Sequence, residues 1–151
     1  MTGSSLAEIQ AQIGQVHHSD WLLIDQAMID RFADVTGDHQ FIHVDPEAAA
    51  RTPLGGTIAH GFLLLSLLPK LHMAMDLPRI AGARMGLNYG FDRVRFTSPV
   101  RSGSRVRAAT KLISFEEKRP RQFQQQLDVS LEVEGAEKPA LSAIWIGQTF
   151  T

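Results

Sequence analysis

The sequence predicts an α+β protein in which an antiparallel sheet wraps a single apolar helix. Three observations predict it. Phe62 to Met75 is apolar almost all round. The chain from Met85 onward alternates apolar and polar residues through four strand-like stretches. Between Phe123 and Val133 the alternation is cleanest: Phe123, Gln125, Leu127, Val129, Leu131 and Val133 share one parity, all apolar but Gln125, and every intervening residue is polar. Alternation of this kind marks strands with one wet face, and a sheet of that type buries its apolar face against a helix.

The elements follow in order. Ser5 is a helix N-cap, with Leu6, Ile9 and Ile13 on one side up to a stop at Gly14. His18 to Ile24 reads as a strand or extended segment. Asp25 caps a second helix, in which Met28, Ile29, Phe32 and Ala33 fall at helical spacing, and Gly37 ends it. Asp38 to His43 then forms a loop. Asp45 and Pro46 start a short helix through Ala48, Ala49 and Ala50, broken by Thr52 to Gly56.

The apolar segment opens at Gly61 and is expected to be a helix buried on most sides, kinked or interrupted at Pro69. Leu77 and Pro78 end that element. Met85, Leu87, Tyr89 and Phe91 lie at odd positions, Val94 and Phe96 at even ones, so a β-bulge is expected between Gly90 and Arg93. After a turn from Pro99 to Gly103, Val106, Ala108, Thr110 and Leu112 continue as a strand. Glu116 to Pro120 reads as a charged hairpin loop, and Ala140 to Ile146 supplies the last strand. So few strands leave open edges, which suggests a homodimer joined edge to edge.

The 151 residues suit a single domain, 1–151, large enough for a real core. A net charge of −1 gives no reason to expect a nucleic-acid or membrane-surface partner. Without cysteine there is no disulfide, thiolate metal site or cysteine nucleophile. The first five residues lack a basic and apolar leader, and the apolar helix is too short to span a membrane, so a cytoplasmic protein is expected.

Six histidines are present, but no HExxH spacing supports a metal site. GxGxxG, P-loop and GxSxG patterns are absent as well. Asp38 and His43 stand out. On one helix, residues five apart point about 140° apart, but in a loop they can converge on one water molecule and exchange protons with it. The plainer reading makes Asp38 a turn residue and His43 an ordinary loop or core histidine. His60-Gly61 also has two readings: close packing at a helix start, or a backbone N–H able to hold a developing oxyanion. Asn88, Tyr89, Arg93 and Arg95 form a further polar cluster on or beside a strand.

Phe32-Ala33-Asp34-Val35-Thr36-Gly37-Asp38-His39-Gln40-Phe41-Ile42-His43-Val44-Asp45-Pro46 resembles the signature of the MaoC-like dehydratases, the (R)-specific enoyl-CoA hydratases. Ile58-Ala59-His60-Gly61-Phe62-Leu63 is similar to that family's start of the central helix. Asn88-Tyr89-Gly90 and Val94-Arg95-Phe96 resemble the NodN-like branch, and the likeness covers roughly residues 16–147. The resemblance implies a hotdog fold, usually dimeric. It implies Asp38 and His43 as the catalytic pair and Gly61 N–H as the donor to the thioester carbonyl, with His60, Gln40 and Asn88 as further oxyanion or substrate-binding positions. The implied substrate is a trans-2-enoyl-CoA, hydrated to an (R)-3-hydroxyacyl-CoA, with no metal or redox cofactor. Lys70, Arg84, Arg93 and Arg95 are candidates for the coenzyme A phosphates.

Two positions depart from the pattern. Gln40-Phe41 stands where the signature commonly has Asn-Pro, and Pro69 where many relatives have a serine supporting the aspartate, with Ser66 a turn earlier. Other readings of the same fold are an acyl-CoA thioesterase and a non-catalytic acyl-CoA-binding dimer.

Overall fold

A computed structural model describes residues 3–151. Met1 and Thr2, included above in the single domain, lie outside the described residues. The elements are α1 (Leu6–Gln10), β1 (Val16–His18), β2 (Leu22–Ile24), α2 (Gln26–Thr36), α3 (Phe41–Val44), α4 (Pro46–Ala50), α5 (Gly61–Met73), β3 (Met85–Phe96), β4 (Ser104–Arg119), β5 (Gln122–Val133) and β6 (Leu141–Phe150).

The caps fall where the side chains dictate. Ser5 and Glu8 form a reciprocal capping box on α1. Asp25 accepts from Met28 N–H at 2.8 Å, and Asp45 from Ala48 N–H at 2.9 Å. Gly37 closes α2 in the left-handed region at φ 78°, a conformation glycine enters without a Cβ penalty. α1 stops at Gln10, short of the expected Ile13, and Ile13 is exposed.

The sheet has six antiparallel strands. Its order is β1-β4-β5-β6-β3, with β2 also pairing with β4. The expected extended segment from His18 to Ile24 is two short strands on one long neighbour, Val16↔Lys111 and Leu22↔Val106. Glu116 to Arg119 belong to β4 rather than to a loop. The turn is confined to Pro120 and Arg121, and Glu117 Oε1 accepts from Arg121 N–H at 2.8 Å. β3 is bulged between Asp92 and Arg95, overlapping the far end of the expected Gly90–Arg93 stretch, with Arg93 at φ 53°, and a further register shift lies between Asn88 and Gly90.

The core lies between α5 and the sheet. Leu63, Leu64, Leu68 and Leu71 pack with Val106, Ala108, Val129, Leu131 and Ala143. Burying a leucine this fully contributes about 2–3 kcal/mol. α5 runs unbroken through Pro69. It is not buried on most sides. Phe62 and Met73 are 67% and 66% exposed, and with Ser66 and Lys70 they form an outward stripe. The sheet covers one face of the helix, so an all-apolar sequence leaves part of itself outside. A smaller cluster of Ile9, Ile80, Phe115 and Phe123 sits under α1. No helix among the described residues is long and apolar enough to cross a membrane.

Candidate active site

The site assembles at the N-terminus of α5. Gly37 turns the chain out of α2 and delivers Asp38. The expected loop from Asp38 to His43 is only half irregular, since α3 begins at Phe41 and His43 sits on it. A single helical turn shortens the path enough for Asp38 and His43 to face the same volume.

His43 is buried, and its Nδ1 lies 2.7 Å from the Ile58 carbonyl oxygen. A carbonyl only accepts, so Nδ1 carries the proton and Nε2 is the ring nitrogen left for chemistry. His60 Nε2 lies 2.9 Å from the Asp38 carbonyl oxygen, which makes it a donor by the same argument. The two rings stack with centroids 3.8 Å apart, and Phe32 lies against His60 at 5.0 Å. His60 is only 2% exposed, and its Nδ1 has no partner among the described residues. It therefore stands behind Asp38 and His43, and the expected substrate-binding role is not what its burial favours.

The segment that carries these groups is strapped from both sides. Ile58 N–H donates to Ile42 O, Ala59 N–H to Val100 O, and Ser102 N–H to Thr57 O. Gln26, on α2, ties the two halves of the site together. Its Nε2 donates to the His43 carbonyl at 2.7 Å, and its Oε1 accepts from Thr57 Oγ1 at 2.5 Å.

Asp38 is exposed, and its carboxylate takes one internal hydrogen bond, a long one of 3.4 Å from Gln40 N–H. Ser66 does not support it, because its hydroxyl donates to Phe62 O. Gln40 occupies the N-cap of α3 without a side-chain capping bond. His39 points away to Asp34 Oδ1 at 2.9 Å, and that bond raises its pKa.

Gly61 is the first residue of α5, whose N-terminus no side chain caps. Its N–H has no partner among the described residues. A Cβ built on Gly61 would lie 2.9 Å from Phe96 Cγ. Close packing and a free donor therefore coexist at this glycine. Donor atoms of Asp38, His43 and His60 lie within 4.8 Å of one another, a spacing that suits a shared water or a cation.

Asn88 is not brought to this site within one chain. It is exposed on β3, opposite Gly147. Phe96, which touches the Gly61 position, is eight residues further along the strand, roughly 25 Å at about 3.3 Å per residue. Sequence reasoning missed Gln26 and Thr57, whose roles appear only when α2, α3 and the strap meet. Phe96 carried a signal in Val94-Arg95-Phe96, but its contact with Gly61 did not show.

The family pattern described as MaoC like domain matches residues 8–135. The chain belongs to the MaoC-like dehydratase family. As a MaoC-like protein it is a hydro-lyase. It is 50% identical over 144 residues to nodulation protein N of Rhizobium leguminosarum bv. viciae, spanning 94% of this chain and 89% of that protein. It is 47% identical over 143 residues to 3-hydroxyacyl-thioester dehydratase Z of Mycobacterium tuberculosis, spanning 94% and 93%. In structure it resembles the monoamine oxidase regulatory protein from Archaeoglobus fulgius, with a TM-score of 0.83, 21% identity, and 100% and 97% of the two chains covered. It also resembles the (R)-hydratase from A. caviae involved in PHA biosynthesis, with a TM-score of 0.68, 25% identity, and 89% and 94% covered. The sheet on α5 is the hotdog arrangement of these hydratases.

Proposed function

We propose that this MaoC-like protein is an (R)-specific enoyl-thioester hydratase. It adds water reversibly to a trans-2-enoyl-CoA to give an (R)-3-hydroxyacyl-CoA, with Asp38 and His43 as its catalytic residues. The observation that carries this reading is the gathering of Asp38, His43 and His60 within 4.8 Å at the start of α5, where His60 is the N-cap and Gly61 the first residue, so acid/base groups and a helix N-terminus occur together. The likeness to the Mycobacterium tuberculosis protein named 3-hydroxyacyl-thioester dehydratase Z supports the same reaction class.

In the forward direction Asp38 and His43 Nε2 hold one water. As its oxygen bonds to C3, the pair accepts one proton, and the C2–C3 π electrons move toward the thioester carbonyl. Gly61 N–H, at the positive end of the helix dipole, stabilises the enolate oxygen. An oxyanion donor of this kind is worth about 3 kcal/mol. The pair then delivers one proton to C2, so H and OH have been added and both groups are restored. Because Nδ1 is held by Ile58 O, every proton His43 moves passes through Nε2.

We also propose a homodimer in which residues 1–151 form a single domain. The edge strand β3 exposes Met85, Leu87, Tyr89 and Phe96, continuous in character with the outward stripe of α5. An apolar edge and an apolar helix face of this kind are what a second copy covers. Sedimentation should give twice the chain mass, and Leu87→Arg should shift it toward the monomer.

The activity test is hydration of trans-2-enoyl-CoAs of increasing length, and of the same acyl groups on acyl carrier protein, with chiral analysis of the product. Loss of enoyl absorbance with an (R) product is expected. Asp38→Asn and His43→Gln should each reduce turnover by about 100- to 10,000-fold without unfolding. Activity should survive exhaustive chelation. Thiol release without hydration would instead identify a thioesterase.

A further inference from the structure

Gly55 and Gly56 form the turn that leads into the strap from Thr57 to His60. Gly55 sits in the left-handed region at φ 69°, and a Cβ built on it would lie 2.7 Å from Arg101 Nη2 and 3.3 Å from Arg101 Cζ. Glycine therefore leaves the room in which the Arg101 guanidinium rests on the turn. Backbone ties Arg101 to the site. It forms an antiparallel bridge with Ile58, whose carbonyl lies 2.7 Å from His43 Nδ1. On either side of it, Val100 O accepts from Ala59 N–H and Ser102 N–H donates to Thr57 O.

Two sets of donors at this turn are unused. On β4, Arg105, Arg107 and Lys111 each pair with a carboxylate of Glu134, Glu132 and Asp128, at 3.1, 2.7 and 3.1 Å. Arg101 is exposed and has neither an ion pair nor a side-chain hydrogen bond among the described residues. The N–H groups of Gly56 and Thr57 have no acceptor among the described residues either, although Thr57 is buried. The N–H of a buried residue rarely goes unpaired, and an arginine fork beside free backbone N–H groups on a glycine turn matches a phosphate.

We propose that Arg101 and the Gly55-Gly56 turn bind the phosphate nearest the thioester, the one that ends the pantetheine arm in both coenzyme A and acyl carrier protein. The inference rests on the thioester reading of the site. Gly56 precedes Gly61 by five residues, so the turn and the Gly61 N–H are at most about 18 Å apart, a span that an extended pantetheine arm covers. Arg101 is then a specificity residue. It favours thioesters carried on a phosphorylated arm over short ones without phosphate, and it does not distinguish coenzyme A from acyl carrier protein.

Two measurements on the full-length chain test this. In calorimetric titration, 4′-phosphopantetheine should bind about tenfold or more tightly than pantetheine, the gain expected for a charge-assisted hydrogen bond, and Arg101→Gln should abolish the difference. In turnover, the kcat/KM preference for crotonyl-CoA over the crotonyl thioester of N-acetylcysteamine should fall about tenfold in Arg101→Gln, through KM. Gly55→Ala, which pushes the guanidinium off the turn, should reproduce that fall. Arg101→Lys keeps the charge without the fork and should lie between. Equal losses on both thioesters would make Arg101 a prop of the strap and overturn the proposal. Equal binding of pantetheine and 4′-phosphopantetheine would overturn it too, as would an undiminished preference in Arg101→Gln. A loss with crotonyl-CoA that is absent with crotonyl acyl carrier protein would place the contact on the nucleotide phosphates, and overturns it as well. Phosphate-dependent binding without hydration would support the phosphate site and overturn the hydratase reading alone.

Discussion

His60 holds both halves of the acid/base pair at once: its ring stacks on His43 at 3.8 Å, and its Nε2–H donates to the Asp38 carbonyl at 2.9 Å. Replacing it with phenylalanine keeps a ring for stacking and removes the donor. Loss of one buried hydrogen bond is worth about 1–1.5 kcal/mol, or roughly tenfold in rate when it acts on geometry in the transition state. For His60→Phe we expect kcat to fall by about that factor with KM little changed. An unchanged kcat would show that His60 is only packing.

Gly61 serves two purposes that a paired substitution separates. Gly61→Ala places a methyl 2.9–3.0 Å from three atoms of the Phe96 ring. Overpacking of this kind costs about 1–3 kcal/mol, visible in urea unfolding, and should lower turnover. Phe96 is 45% exposed, so Phe96→Ala can remove the clash cheaply. The double variant keeps an N–H at position 61 and should recover stability and most activity. Recovery of stability alone would mean that the donor's position depends on glycine itself.

Local chemistry was legible in the sequence, and contacts that depend on distance along the chain were not. Asp25, Gly37 and Asp45-Pro46 announce helix ends because each acts on backbone within three or four residues. The parity of Phe123 to Val133 announces β5 because alternate side chains of a strand share a face. The outward stripe of α5 was illegible, since Phe62 and Met73 look as apolar as Leu64 and Leu68. Only the sheet decides which of them it covers. At the site, Asp38 and His43 stood out as a pair, but His60's grip on both needed the strap from Thr57 to His60 to be folded back on α3.

Gln26 is the clearest case of such a hidden role. It bonds to His43 across 17 positions and to Thr57 across 31, and no local pattern marks it. Gln26→Leu should leave the His43 carbonyl and the Thr57 hydroxyl without these partners. A loss of about 1–3 kcal/mol in unfolding free energy is expected. Turnover should also fall, because α3 loses its tie to α2. If stability dropped while turnover per folded molecule stayed constant, Gln26 would support the fold and not the site.

His72 gives the protein a predictable response to acid. Burial, chiefly, lowers its pKa from 6.5 in the folded chain. In the unfolded chain it titrates near that ordinary value, so below it the unfolded state binds a proton that the folded state refuses. Stability then rises with pH across the window between the folded value and 6.5, and is lost as the pH falls through that window. The slope from one such group is at most about 1.4 kcal/mol per pH unit. His72→Phe removes the titrating group while keeping a ring beside Trp145, whose centroid lies 5.6 Å away. Unfolding free energy measured from pH 7 down to pH 5 should therefore fall less steeply in the variant than in the native chain. Parallel curves would show that His72 is protonated equally well in both states, and that burial does not discourage its charge.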